Sequence, residues 1–121
     1  NPECVVAKQN CMIIRAKNNV MGTMIGTLAS IISNEKNVEE GTLIMSMAHT
    51  EDKRTKISLR VAKDKLGQTA HDLSELMRTC IEQLGSGQAG GHMYAAGGVI
   101  EQDHEDKFVE IAQKVLVQPT S

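Results

Sequence analysis

The chain has 121 residues, 40% of them hydrophobic, with a formal net charge of −2 and a pI near 6.1. A chain of this length suits one compact domain, because it buries roughly two-thirds of its unfolded surface on folding. The slightly acidic balance excludes a global electrostatic drive toward nucleic acid, so any phosphate site has to be local.

Cys4, Cys11 and Cys80 are odd in number and lack CxxC spacing. Neither a disulfide framework nor a four-ligand zinc site follows from them, and they read as reduced core residues of a cytoplasmic protein. No basic-then-apolar leader is visible. The uncharged stretch from Asn18 to Asn34 is interrupted by polar residues and is shorter than the roughly 20 apolar residues that span a bilayer. The expectation is a soluble protein without a membrane partner. The opening Asn1-Pro2, without an initiator methionine, reads as a domain of a longer chain.

Cys4 to Lys8 and Cys11 to Ala16 are Val- and Ile-rich runs separated by Gln9-Asn10, which predicts a hairpin. From Val20 to Ser33, Val20, Met21, Met24, Ile25, Leu28, Ile31 and Ile32 recur at three- and four-residue steps, the pattern of a helix with one buried face. Gly22 and Gly26 lie four apart on it, spacing that suits close approach to a sheet or another backbone. Thr42 to Met47 and Lys56 to Val61 predict strands, the second placing Ser58 and Arg60 on one face. The polar segment His49 to Thr55 between them reads as a solvated connection.

Asp72, with Glu75 three residues on, resembles a capping box opening a helix that Gly85 closes. A Gly/Ser/Gln stretch, Gly85 to Gly91, precedes His92 to Gly98, a short strand at Val99-Ile100 and a last helix from Asp103 to about Val115. The order predicts a single α/β domain with a mixed β-sheet of about five strands flanked by three main helices.

The segment Gly90-Gly91-His92-Met93-Tyr94-Ala95-Ala96-Gly97-Gly98 is poor core material and invites close approach to the backbone. A helical turn beginning at His92 would aim main-chain N–H groups outward to cradle phosphate, with His92 adding a side-chain donor. The plainer reading is a tight loop and a bulge before the next strand, since glycine-rich matches are weak motifs. Arg60 is either solvated or a phosphate fork. His49, His71, His92 and His104 are scattered, without the i, i+4 spacing of a helical metal site. Asp103-His104-Glu105 reads as capping at the start of the last helix.

Three segments in order resemble the DHH-associated C-terminal domain of RecJ-like exonucleases, oligoribonucleases and related phosphoesterases of archaeal style. They are Val20 to Ser30, Lys56-Ile57-Ser58-Leu59-Arg60, and Gly90-Gly91-His92-Met93-Tyr94-Ala95-Ala96-Gly97. The first departs from the family pattern, its glycines standing four rather than three apart. The resemblance implies a nucleotide-binding domain spanning 1–121, with Ser58, Arg60, Gly90, Gly91 and His92 at phosphate or the substrate end. By the same resemblance Gly97 belongs to the substrate-binding motif. With only Tyr94 and Phe108 as aromatics, base-stacking platforms cannot be extensive, and Tyr94, inside the motif, is the single candidate for stacking on a base. Catalysis, with Mn2+ or Mg2+, would belong to an upstream DHH domain in cis, whose motif this sequence lacks. The implied partner is single-stranded DNA or RNA or a short oligonucleotide. Alternatives are an inactive interaction domain among replication proteins, or a tRNA-binding domain like that of alanyl-tRNA synthetase.

Overall fold

In the computed structural model residues 4–8, 11–18, 24, 25, 31, 41–62, 72–92 and 95–116 are described, side chains excepted for 4–8 and 92. The aliphatic runs form strands β1 (Cys4–Lys8), β2 (Cys11–Lys17), β3 (Leu43–His49) and β4 (Arg54–Val61). β5 (Gln88–His92) and β6 (Ala95–Glu101) follow helix α1 (Leu73–Leu84), and a 3-10 turn at Gln102–His104 leads into α2 (Glu105–Leu116). The strands make one six-stranded sheet in the order β1-β2-β3-β4-β6-β5.

The sheet is mixed, as expected. β1 and β2 form the predicted antiparallel hairpin, β2 and β3 run parallel, and the other neighbours are antiparallel. The parallel pair requires a crossover connection, which residues 18–42 supply. All five expected strands are present, and the sixth, β5, comes from the glycine stretch that composition marks as loop. Glycine disfavours strands because it brings backbone entropy and no packing side chain; here pairing with β6 overrides that preference.

Two α-helices, rather than the expected three, stand among the described residues. The predicted helix from Val20 to Ser33 lies outside them except at Met24, Ile25 and Ile31. Ile25 is buried, while Met24 and Ile31 are 49% and 57% exposed. At these positions the apolar stripe is therefore not a continuous buried face.

α1 forms where the sequence places it. The Asp72 side chain accepts from the backbone N–H groups of Ser74 and Glu75, and Gly85 closes the helix at φ 89° with its N–H donating to the Ile81 carbonyl. Leu73, Met77, Cys80 and Ile81 make its buried face. Both helices cover one side of the sheet, where Ile13, Met45, Met47, Ile57, Leu59 and Phe108 are almost wholly buried. Cys11 and Cys80 belong to this core, and burial pushes their thiols up to about 11 and about 12. Their chemistry at neutral pH is that of small apolar groups. Among the described residues no helix is long and apolar enough to cross a membrane.

Candidate functional site

The sheet's second side carries the candidate site. Residues in cross-strand register share a face, so one row runs Ile14, Ser46, Ser58, Gly97, Gly90 from β2 through β3, β4 and β6 to β5. On the β2 and β3 side this row is covered, Ile14 packing with Ile44 and Ala62 in a second apolar cluster. Toward β6 and β5 it opens into a cleft of about 550 Å3, whose lining includes Ile25, Lys56, Ser58, Arg60, Gly90 and Gly97. Two successive positions of its floor, Gly97 and Gly90, have no side chain, so bare backbone lies beside the Ser58 hydroxyl.

The cleft is electrostatically one-sided. Among the described residues lining it are two cations, Lys56 and Arg60, and no carboxylate. Arg60 is half-buried, and its Nη1 donates to the carbonyls of Leu59 at 3.0 Å and Ala96 at 3.5 Å. Burial draws its pKa below the usual arginine value, yet a guanidinium remains charged in any protein. Among the described residues Arg60 has no salt-bridge partner, unlike Arg15, Arg54 and Arg78. The chain's net charge is negative, but the described lining of this cleft carries charges of one sign only, the local arrangement that a phosphate site in such a chain needs.

The two glycines of β5 differ. Gly91 has φ 106°, and a Cβ there would lie 2.5 Å from the Ala95 carbonyl oxygen and 2.7 Å from the Ala96 Cα. Its identity is demanded by the hairpin. Gly90 has no positive φ, and a Cβ there would meet nothing within 4 Å among the described residues. Neither conformation nor packing requires glycine at this position. Gly90 and Gly91 also wall a smaller cleft of about 350 Å3 on the helix side, beside Ser74 and Arg78 of α1.

Of the sequence-predicted site residues, Ser58, Arg60, Gly90, Gly91 and Gly97 all line the cleft. His92 closes β5 in register with Ala95, while Tyr94 lies outside the described residues. The helical turn expected at His92 is not formed, because residues 88–92 pair with β6 as a strand. At Gly90 to His92 the cleft therefore presents a strand's backbone rather than the expected helical turn.

A second polar cluster departs from the sequence expectation. Glu105, expected as a helix-capping acid, is 3% exposed and anchors α2 to the sheet. Its Oε2 accepts from Arg15 Nε at 2.8 Å, and its Oε1 accepts from Thr55 Oγ1 at 2.7 Å and bonds His49 Nε2 at 2.9 Å. Arg15 also pairs with Asp106. Burial alone would raise the Glu105 pKa, but the hydrogen bonds from Thr55, Arg15 and His49 outweigh it and hold the carboxyl below the usual range. Thr55 and His49, at the ends of the segment expected as a solvated connection, are thus strand residues turned toward this carboxylate. The connection proper is the exposed turn at residues 50–53. The sequence carries a signal for this: Thr55 continues the Ile57, Leu59 alternation of β4. Among the described residues no group of three or more His, Cys, Asp or Glu side chains could hold a metal ion.

Comparison with known proteins gives a consistent picture. The model of the DHHA1 domain matches residues 8–118. No curated protein matches the sequence at a significant level. Among solved structures, the C-Ala domain of Aquifex aeolicus alanyl-tRNA synthetase superposes with a TM-score of 0.69 at 13% identity, covering 95% of this chain and 99% of that one. A DHH-domain member of the s1p family of ribosomal proteins superposes with a TM-score of 0.63 at 16% identity, covering 98% of this chain and 28% of that one. At these identities the likeness shows the fold.

Proposed function

The chain belongs to the DHHA1 domain family, the C-terminal domain of DHH-family phosphoesterases, and from that premise we propose that its cleft holds the phosphate backbone or end of single-stranded DNA or RNA. Hydrolysis falls to a separate DHH domain, with which DHHA1 domains typically sit. In this reading the intact protein is a RecJ-like phosphoesterase, and Mn2+ or Mg2+ is held by the DHH domain rather than by residues of this chain. Bound there, the metal supplies activated water; this chain supplies position.

The observation that carries the reading is Gly90. Nothing among the described residues needs glycine there, yet its missing side chain continues the bare floor that starts at Gly97, the neighbour of Ser58. A phosphate on that floor meets the Arg60 fork, the Ser58 hydroxyl and the Lys56 charge. Arginine offers paired donors that match phosphate geometry, and each charge-assisted bond is worth roughly 1.5–3 kcal/mol. His92 adds a donor in the family resemblance, and Tyr94 is the candidate for stacking on a base.

A titration of labelled chain with short single-stranded oligonucleotides, phosphorylated or not at one end, tests this. The expected result is amide shifts concentrated at Ser58, Arg60, Gly90, Gly91 and His92 and dependent on the terminal phosphate. Silence at those amides with millimolar ligand and an intact fold would sink the proposal.

A second reading is favoured by the alignment with the C-Ala domain over nearly that domain's full length. On this reading the chain contacts folded tRNA. Binding that requires an intact tRNA, with single-stranded ends inert, would select it. Partner binding indifferent to Arg60→Ala would instead select the inactive replication-complex role.

A further inference from the structure

Ser46 stands in the middle of β3, fully buried, and among the described residues its hydroxyl has no hydrogen-bond partner. A buried hydroxyl without a partner costs stability, and alanine would avoid that cost at nearly the same volume. Such a group in a folded protein calls for a use. Among the described residues the other buried side-chain atom in this condition, His49 Nδ1, belongs to the Glu105 cluster, in which Nε2 already has its partner. Ser46 has no such cluster.

Its cross-strand neighbours are Ile14 on β2 and Ser58 on β4. Ile14 offers no polar atom. Ser58 is 5% exposed and lies directly opposite, and facing residues on one side of a sheet hold their Cβ atoms roughly 4.5–5.5 Å apart, within reach of a hydroxyl-to-hydroxyl bond. That bond is unmade in the structure. Ser58 is also the inward end of the cleft floor, followed in the same row by Gly97 and Gly90.

We infer that Ser46 is a positioning residue for the cleft, its hydroxyl donating to Ser58 Oγ while Ser58 donates its own O–H to a phosphate oxygen. The inference rests on the reading that the cleft holds phosphate. A hydroxyl has one proton to give and two lone pairs to receive with, so Ser58 accepts from below and donates above without competition. The inward bond fixes the Ser58 rotor with its proton toward the ligand, and hydrogen bonds in series polarise one another. Ser46 touches no ligand; it acts through Ser58, and its unsatisfied state is relieved when the chain of bonds forms.

The test is a set of binding isotherms on the 121-residue chain with a short oligodeoxythymidine carrying a terminal phosphate, alongside thermal melts. Ser46→Ala is expected to melt at or above the wild-type temperature, because it removes an unpartnered hydroxyl, and yet to bind about threefold to tenfold more weakly, the size of one neutral hydrogen bond. In a Ser58→Ala background the same substitution is expected to change affinity no further. Wild-type affinity in Ser46→Ala would overturn the inference while leaving the cleft reading intact. An equal loss in both backgrounds would overturn it as well, since Ser46 would then act other than through Ser58. A clearly lowered melting temperature for Ser46→Ala would show that the hydroxyl has a structural partner, and that too would overturn the inference. If the wild-type chain binds neither phosphorylated nor unphosphorylated oligodeoxythymidine, the cleft reading itself fails, a result distinct from the others.

Discussion

Adjacent glycines of one strand separate here by what each is for. Gly91 is held by φ 106° and by backbone atoms within 3 Å of any Cβ, so Gly91→Ala should cost at least about 1–3 kcal/mol in a denaturant melt. Gly90→Ala should leave stability unchanged or raise it by about 0.4–1 kcal/mol, because alanine narrows the unfolded ensemble without meeting anything in the folded one. On the proposed function the same methyl roughens the cleft floor, so Gly90→Ala should weaken oligonucleotide binding at least tenfold in the isotherm. A Gly90→Ala chain that binds as wild type would remove the observation on which that function rests. At Glu105 the logic is reversed. Its carboxylate answers Arg15, Thr55 and His49 in a dry setting, and breaking one side of a buried charge pair costs about 3–5 kcal/mol. Glu105→Gln keeps the shape and part of the hydrogen bonding, so a loss toward the lower end of that range is expected in urea melts.

At the scale of elements, α2 is fastened to β2, β3 and β4 by that one carboxylate, and this gives the fold a pH dependence. The Glu105 pKa is held below its unfolded value of about 4.3. Its contribution is therefore complete above that unfolded value and is lost as pH falls through the lower folded one. The stability gap between wild type and Glu105→Gln should narrow as pH is taken from 6 to 3, roughly the window set by the carboxyl reference value. A constant gap in melts across that range would mean that the carboxylate's charge is not what fastens the helix. α1 is legible in the sequence because capping is local: Asp72, Gly85 and the apolar spacing between them lie in one stretch of chain. The role of Glu105 is not, because its partners are 50, 56 and 90 residues away in sequence, and an acid at a helix start satisfies the local rule equally well. β5 is hidden for a related reason. Glycine's preference is read locally, but a strand at a sheet edge is created by its neighbour, here β6. Ser58 and Arg60 can be read together because two-residue alternation along β4 places them on one face.

For the whole molecule, the proposed function asks a chain of net negative charge to hold a polyanion through the cleft's cations, Lys56 and Arg60 among the described residues. A net charge of −2 gives the chain no global attraction to a polyanion, so affinity should be modest in the isolated chain and should rise when a DHH domain is joined, because two linked sites engage one strand at high effective concentration. Salt offers the sharpest test of how local the site is. For single strands the slope of log K against log salt is about −0.7 for each phosphate neutralised, so two cations set a slope no steeper than about −1.4. Arg60→Ala should flatten it by about 0.7 and lower affinity at every salt concentration. Anisotropy titrations across a salt series measure both quantities. A slope several times steeper would mean that the strand runs over a wider basic surface than the cleft, and a slope untouched by Arg60→Ala would mean that the phosphate lies elsewhere. The expected pair of values follows from an opposition within the fold: the chain's net charge is negative, while the described lining of the cleft carries Lys56 and Arg60 and no carboxylate.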